Sequence, residues 1–156
     1  MLPTIEVNDR VMVNKLAYNW SEPARGDIVV FTDPAQPEVE ETIPEAVVRS
    51  VLEAVGLQTR GLDDLIKRVV GLPGETIVIE ANQVLVDGVA IEEPYLSPDV
   101  FMPDAGPFTV GSGEVFVMGD NRQFSFDSRR FGTISYDDLI GRAFVTIWPL
   151  DHFGGL

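Results

Sequence analysis

Lys67 stands in Ile66-Lys67-Arg68-Val69-Val70-Gly71-Leu72-Pro73-Gly74, among apolar and β-branched neighbours. A run of that kind asks for burial. Burial penalises the charged form of an amine, so the lysine pKa falls from its ordinary value of about 10.4 and neutral amine becomes available as a base. The same residues also suit an ordinary strand whose lysine extends its head to water. A second chemically dense stretch runs from Gly119 to Arg129 and holds Asp120, Asn121, Arg122, Ser125, Asp127, Ser128 and Arg129. Charge and hydroxyl at that density exceed what a simple β-turn needs, and function concentrates in such loops. Asp120 and Asp127 have Arg68, Arg122 and Arg129 as ion-pair partners that would tie the loop down. Ser125 is then left to hydrogen-bond a neutral Lys67 amine and orient it, as a third group supports an activated nucleophile.

The elements that must position these residues are mostly strands. The 156-residue chain is 45% hydrophobic, with 14 glycines, 11 prolines and short Val-, Ile- and Phe-rich runs, which favours one globular domain of strands joined by turns. Val11-Met12-Val13 and Ile28-Val29-Val30-Phe31 read as strands able to pair. Lys67 lies on the next one. Thr76–Glu80 and Gln83–Val86 flank Ala81-Asn82 as a hairpin, and Asp87-Gly88 turns into Val89-Ala90-Ile91. Residues 76–107 thus form a smaller β subdomain with a proline-rich acidic loop, whose acids suit solubility. Thr109-Val110 and Glu114–Met118 flank Gly111-Ser112-Gly113 as a further hairpin, and Gly141–Pro149 supplies the last strand. One helix is predicted near 43–56, capped by Thr42 with Glu45 and presenting Val47, Val48, Val51, Leu52 and Val55 on one face.

Twenty-five acidic against 11 basic residues give a net charge of -14, which argues against phosphate-backbone binding and against attraction to anionic lipid, so no nucleic-acid partner is expected. Cysteine is absent, and the single histidine, His152, lies in a Gly-rich tail that reads as loose. No metal site can be assembled from such residues, and no cofactor is implied. No apolar run reaches the roughly 18 residues needed to cross a bilayer.

Four stretches in order resemble the conserved boxes of bacterial type I signal peptidases. They are Met1-Leu2-Pro3-Thr4, Arg25-Gly26-Asp27-Ile28-Val29, Lys67 to Gly74, and Gly119-Asp120-Asn121-Arg122 through Ser125 to Asp127-Ser128-Arg129, with Gly141-Arg142-Ala143 and Trp148-Pro149 closing the chain. The helical stretch at 43–56 resembles an actinobacterial variation. The resemblance implies a mainly β fold of antiparallel coiled sheets of the signal-peptidase and repressor-protease type, with a small appended β subdomain and one short helix. It implies a membrane-bound Ser/Lys serine protease on the extracytoplasmic side, with preprotein signal peptides as partners, cut after small residues in an Ala-x-Ala pattern. By the same resemblance Lys67 is the general base and Ser125 its orienter. Arg68, Asp120, Asn121, Arg122, Asp127, Ser128 and Arg129 support the site. Met1, Leu2, Pro3, Ile5, Leu65 and Ile66 line shallow pockets for small side chains.

In that family a serine nucleophile directly precedes the Met-x-Pro-Thr segment, and this sequence begins at that methionine. The serine, a second oxyanion-hole hydroxyl and a transmembrane anchor are therefore expected upstream of Met1, through an internal start, the other explanation being a lineage that lost activity, and the chain as written is expected to be inactive. An alternative is a binding module of the same fold that grips extended peptides by strand addition without cutting them. A self-cleaving repressor-type domain would need a DNA-binding domain and an internal cleavage site, and neither is visible.

Overall fold

Alternation of apolar and polar residues organises the described part of the chain into short antiparallel strands. The computed structural model describes residues 1–34, 64–149 and 152–156. The helix predicted near 43–56 lies outside the described residues. The strands are β1 Arg10–Asn14, β2 Ile28–Thr32, β3 Asp64–Gly71, β4 Thr76–Glu80, β5 Gln83–Val86, β6 Val89–Ala90, β7 Ala105–Thr109, β8 Glu114–Met118, β9 Ile134–Ser135, β10 Leu139–Trp148 and β11 Gly154–Gly155. A seven-stranded sheet runs β1-β10-β2-β3-β8-β9 with β11 on β10, and a four-stranded sheet runs β6-β5-β4-β7. The architecture is mainly β and antiparallel, as the sequence predicts.

β3 and β8 show why the two sheets share one body. Successive side chains of a strand point to opposite faces, so a strand buried on both sides reads as an unbroken apolar run. Val70, Phe116 and Met118 pack with Ile77, Ile79, Val84 and Val86 of the smaller sheet, while Val69, Val115 and Val117 pack with Val29, Phe31 and Ile134. A third cluster joins Ile5, Ile28 and Ala143, with Met1, Val11 and Ile66 against it. The N-terminal segment is thereby seated on β2 and β3, beside Lys67.

The hairpin turns follow their residues. Ala81 and Asn82 have φ of 50° and 65°, and Asp87 and Gly88 of 50° and 81°. Positive φ at both central positions is the turn whose twist matches paired strands.

Three expectations are corrected. β1 and β2 do not pair with each other, because β10 lies between them and bonds to both. Only a ten-residue strand has the length to serve both neighbours at different registers. Thr109 and Glu114–Met118 do not form a hairpin: Thr109 pairs with Thr76 in the smaller sheet, whereas β8 pairs with β3 and β9. Val110 accepts from Gly74 N and donates to Glu75 O, so its backbone is occupied by the neighbouring crossover before the chain reaches β8. Nor is the tail loose. β11 pairs with β10, and His152 Nδ1 lies 3.0 Å from Asp9 Oδ1.

Candidate active site

β3 carries the first reacting group. Lys67 is half-buried on a groove of ≈ 390 Å³ lined by Met1, Leu2, Ile5, Leu65, Ile66, Gly119, Asn121, Phe124, Ser125 and Phe126, among others. Loss of hydration lowers the Lys67 pKa, against the opposing charges of Asp127 and Asp33. The direction is the one that frees a neutral amine. Its Nζ donates to the carbonyl of Ile66 at 3.1 Å.

The loop after β8 supplies the second group. Ser125 Oγ is buried with no hydrogen bond of good geometry, although it lies close enough to Asp127 to help lower that carboxyl's pKa. The expected bond between Lys67 and Ser125 is therefore not formed. The amine turns back to a backbone carbonyl of its own strand, a stronger acceptor than a hydroxyl. The two side chains nonetheless meet over one residue. A β-carbon on Gly119 would lie 2.2 Å from Ser125 Oγ and 3.6 Å from Lys67 Cδ, so only glycine lets them converge there.

Three ion-pair networks hold this arrangement. Arg68 forks Asp120 through Nε at 2.9 Å and Nη2 at 2.8 Å, donates to Gly26 O at 3.0 Å and reaches Thr4 Oγ1 at 3.2 Å. Thr4 in turn donates to Asp120 Oδ2 at 2.5 Å, so the Met1–Ile5 segment, β3 and the loop are joined at one carboxylate. Arg129 forks Asp127 at 2.8 Å through both Nε and Nη2 and donates to Arg122 O at 2.7 Å. Burial raises the Asp127 pKa, but the hydrogen bonds from Arg129 and from Gly119 N outweigh it and hold the carboxyl below its usual range. Ser128 Oγ accepts from Val117 N at 2.9 Å, which ties the loop to β8.

Arg122 is paired differently from the sequence expectation. Its partner is not Asp120 or Asp127 but Glu93, at 3.0 Å and 2.5 Å, from the acidic loop read as solubilising. Burial pulls the Arg122 pKa down, and the Glu93 hydrogen bonds and charge more than restore it. Tyr95 stacks its ring 3.9 Å from Arg68 Cζ. Sequence reasoning missed Glu93 and Tyr95, and also Phe124 and Phe126, which line the groove. No local signal distinguishes Glu93 from its exposed neighbour Glu92.

Of the six residues expected to contact substrate, Met1, Leu2, Ile5, Leu65 and Ile66 line the groove. Pro3 does not. It faces an adjoining cavity of ≈ 290 Å³ together with Leu2, Ser97, Asp99, Val100, Asp120, Asn121 and Gln123. The reason is local: Leu2 and Asn121 stand between the two spaces and line both. Among the described residues no group of His, Cys, Asp or Glu is arranged to hold a metal ion.

Comparisons with known proteins establish the family of the chain. The family model for signal peptidase, peptidase S26, matches residues 1–148. A signal peptidase I from Leptolyngbya laminosa is 39% identical over 159 residues, covering 100% of this chain and 68% of that protein. One from Mycobacterium tuberculosis is 34% identical over 176 residues, covering 95% of this chain and 60% of that protein. The crystal structure of a signal peptidase I from Enterococcus faecalis V583 matches with a TM-score of 0.55 at 27% identity, over 78% of this chain and 97% of that one. With a matching family model across nearly its whole length and these relatives beside it, the chain belongs to the signal peptidase family, peptidase S26.

Proposed function

We propose that this chain is the catalytic domain of an endopeptidase that removes signal peptides from exported preproteins, with Lys67 as general base. The observation that carries the reading is a lysine whose pKa is lowered by burial, facing a groove it shares with a buried serine hydroxyl. The apolar walls from Met1, Ile5, Leu65 and Ile66 offer contact surface to the substrate side chains before the scissile bond, which the family resemblance expects to be small. Extended substrate can lie along the Leu65–Lys67 backbone by strand addition.

In this reading the nucleophile is a serine directly before Met1. Met1 and Lys67 line the same groove, and on this proposal the hydroxyl of the preceding residue lies within it. Neutral Lys67 takes the hydroxyl proton as Oγ attacks the carbonyl carbon, and the resulting ammonium returns it to the leaving amine. Water, deprotonated by the same amine, then cleaves the acyl-enzyme ester. For Ser125 to orient the amine in this reaction, Lys67 Nζ has to leave the Ile66 carbonyl for Ser125 Oγ, and Asp120, Asp127, Arg122 and Arg129 hold the loop that presents the hydroxyl.

Action at the cytoplasmic membrane, on its extracytoplasmic side and through an anchor upstream of Met1, is part of the same proposal. No helix of the described residues is long and apolar enough to cross a membrane. The test compares this chain with the same chain extended by the native upstream segment ending in serine, on a peptide with an Ala-x-Ala site. Cleavage by the extended chain and none by the chain as written is the expected result. Tight binding of the peptide without cleavage by either would replace the enzyme reading with a peptide-binding one.

A further inference from the structure

Glu93 and Tyr95 lie outside every motif used above, in the loop after β6, yet they reach two of the arginine-centred networks of the site. The Arg122 side chain has 0% exposure and that of Glu93 has 7%. Arg122 places Nη1 3.0 Å from Glu93 Oε2 and Nη2 2.5 Å from Oε1, with Met102 Sδ 3.2 Å from Nη1. Glu93 is the one carboxylate bonded to this guanidinium among the described residues. A buried cation without its counterion is strongly unfavourable, so Glu93 decides where the guanidinium can sit. The Tyr95 hydroxyl, kept protonated by burial and by the adjacent Glu93 charge, donates to Glu93 Oε1 at 2.6 Å. Its ring covers Arg68, the residue next to Lys67.

From these side chains the contacts run inward to the reacting groups. Arg122 Nε donates to Gly119 O at 3.1 Å, and Gly119 N donates to Asp127 at 3.0 Å. Gly119 is the residue against which Ser125 and Lys67 converge. Arg68, under the Tyr95 ring, holds Asp120 and through it Thr4. A shift of Arg122 would move Gly119, and a shift of Arg68 would move the segment beside Lys67.

We propose that Glu93 and Tyr95 are positioning residues that hold Gly119 and Arg68, and thereby Ser125 and Lys67, in register for the peptidase reaction. The inference rests on the proposed function, and it assigns the loop of the smaller sheet a role in the chemistry that its acidic composition conceals. Neither residue touches substrate in this arrangement. Their loss lowers turnover by misplacing the base, with little effect on the apolar walls that bind the peptide.

The test uses the protein expressed from its full reading frame, as Glu93→Gln, Tyr95→Phe and Tyr95→Ala variants. It reads kcat and KM on an Ala-x-Ala peptide per folded molecule, together with hydrogen exchange of the Gly119 amide. Glu93→Gln should lower kcat about 10- to 100-fold, the scale of an ångström-sized misplacement, with KM within about threefold. Exchange at Gly119 should quicken in the same variant. Tyr95→Phe, which keeps the ring over Arg68, should recover most of the kcat that Tyr95→Ala loses. Tyr95→Ala leaves the Arg122 pair whole and carries the test if Glu93→Gln does not fold. Unchanged kcat per folded molecule, even with a lower Tm, would overturn the proposal. A wild-type protein that cleaves nothing would overturn the proposed function, and exchange at Gly119 would still report whether Glu93 holds the loop.

Discussion

The α-carbon of Gly119 is so close under Ser125 that a β-carbon added there would sit 2.2 Å from Oγ and 2.7 Å from Cβ. Gly119→Ala must therefore push Ser125 away from the groove wall that it shares with Lys67. Turnover of the serine-extended chain is expected to fall about 100-fold, as misplacement of a catalytic group by an ångström does. Ser125→Gly in the same chain makes room again, so the double variant should regain the Tm lost by Gly119→Ala without regaining activity. Restoration of activity by the double variant would show that Ser125 has no part in orienting the base.

Lys67 sets the pH dependence. Its pKa in the folded protein is lowered from 10.5, so between the folded value and 10.5 the unfolded chain binds more protons than the folded one. Stability attributable to Lys67 therefore rises with pH across that window and is lowest below it. The Lys67→Met variant lacks this dependence, and its advantage over wild type in urea unfolding should shrink as the pH is raised. The kcat/KM profile should rise with loss of the Lys67 proton at a midpoint below the ordinary lysine value. A midpoint at that ordinary value would remove the physical basis for Lys67 as base, and full activity in the serine-extended Lys67→Met chain would remove the assignment itself.

Asp120 joins three segments, and its side chain has 0% exposure against 8% for Arg68. Asp120→Ala leaves the Arg68 guanidinium buried without its counterion and frees Thr4. Breaking one partner of a buried pair costs about 3 to 5 kcal/mol, so a large drop in the urea midpoint is expected. Activity per folded molecule should fall as well, because the Met1–Ile5 segment loses its tie to β3. A change below about 1 kcal/mol would mean that water already reaches the pair.

The groove walls should determine which side chains the substrate carries before the cut. Ile66→Ala widens the space beside Lys67, and cleavage of a peptide with Val in place of Ala in the Ala-x-Ala site should improve relative to the parent peptide by about tenfold, the worth of a methylene or two. The comparison is a ratio of kcat/KM values for the two peptides. An unchanged ratio would place the selective pocket elsewhere.

Local pattern and short-range chemistry were enough for part of this protein. The period-2 runs, the Ala81-Asn82 and Asp87-Gly88 turns, the lowered pKa of a lysine that is half-buried rather than largely buried, and the presence of arginine partners for Asp120 and Asp127 were legible from residue types, though which arginine pairs with which aspartate was not. Each depends on neighbours in the chain or on strong charge complementarity. The order of strands depended instead on which elements could share backbone partners across long separations. That is why β10 enters between β1 and β2, and why residues 109 and 114 part into different sheets. The orientation of the Lys67 amine toward Ile66, the pairing of Arg122 with Glu93 and the Tyr95 ring over Arg68 were likewise decided by tertiary structure. An isolated glutamate looks the same whether it faces water or a buried guanidinium, and only the packing of the smaller sheet against β3 and β8 brings Glu93 to its partner and removes the water between them.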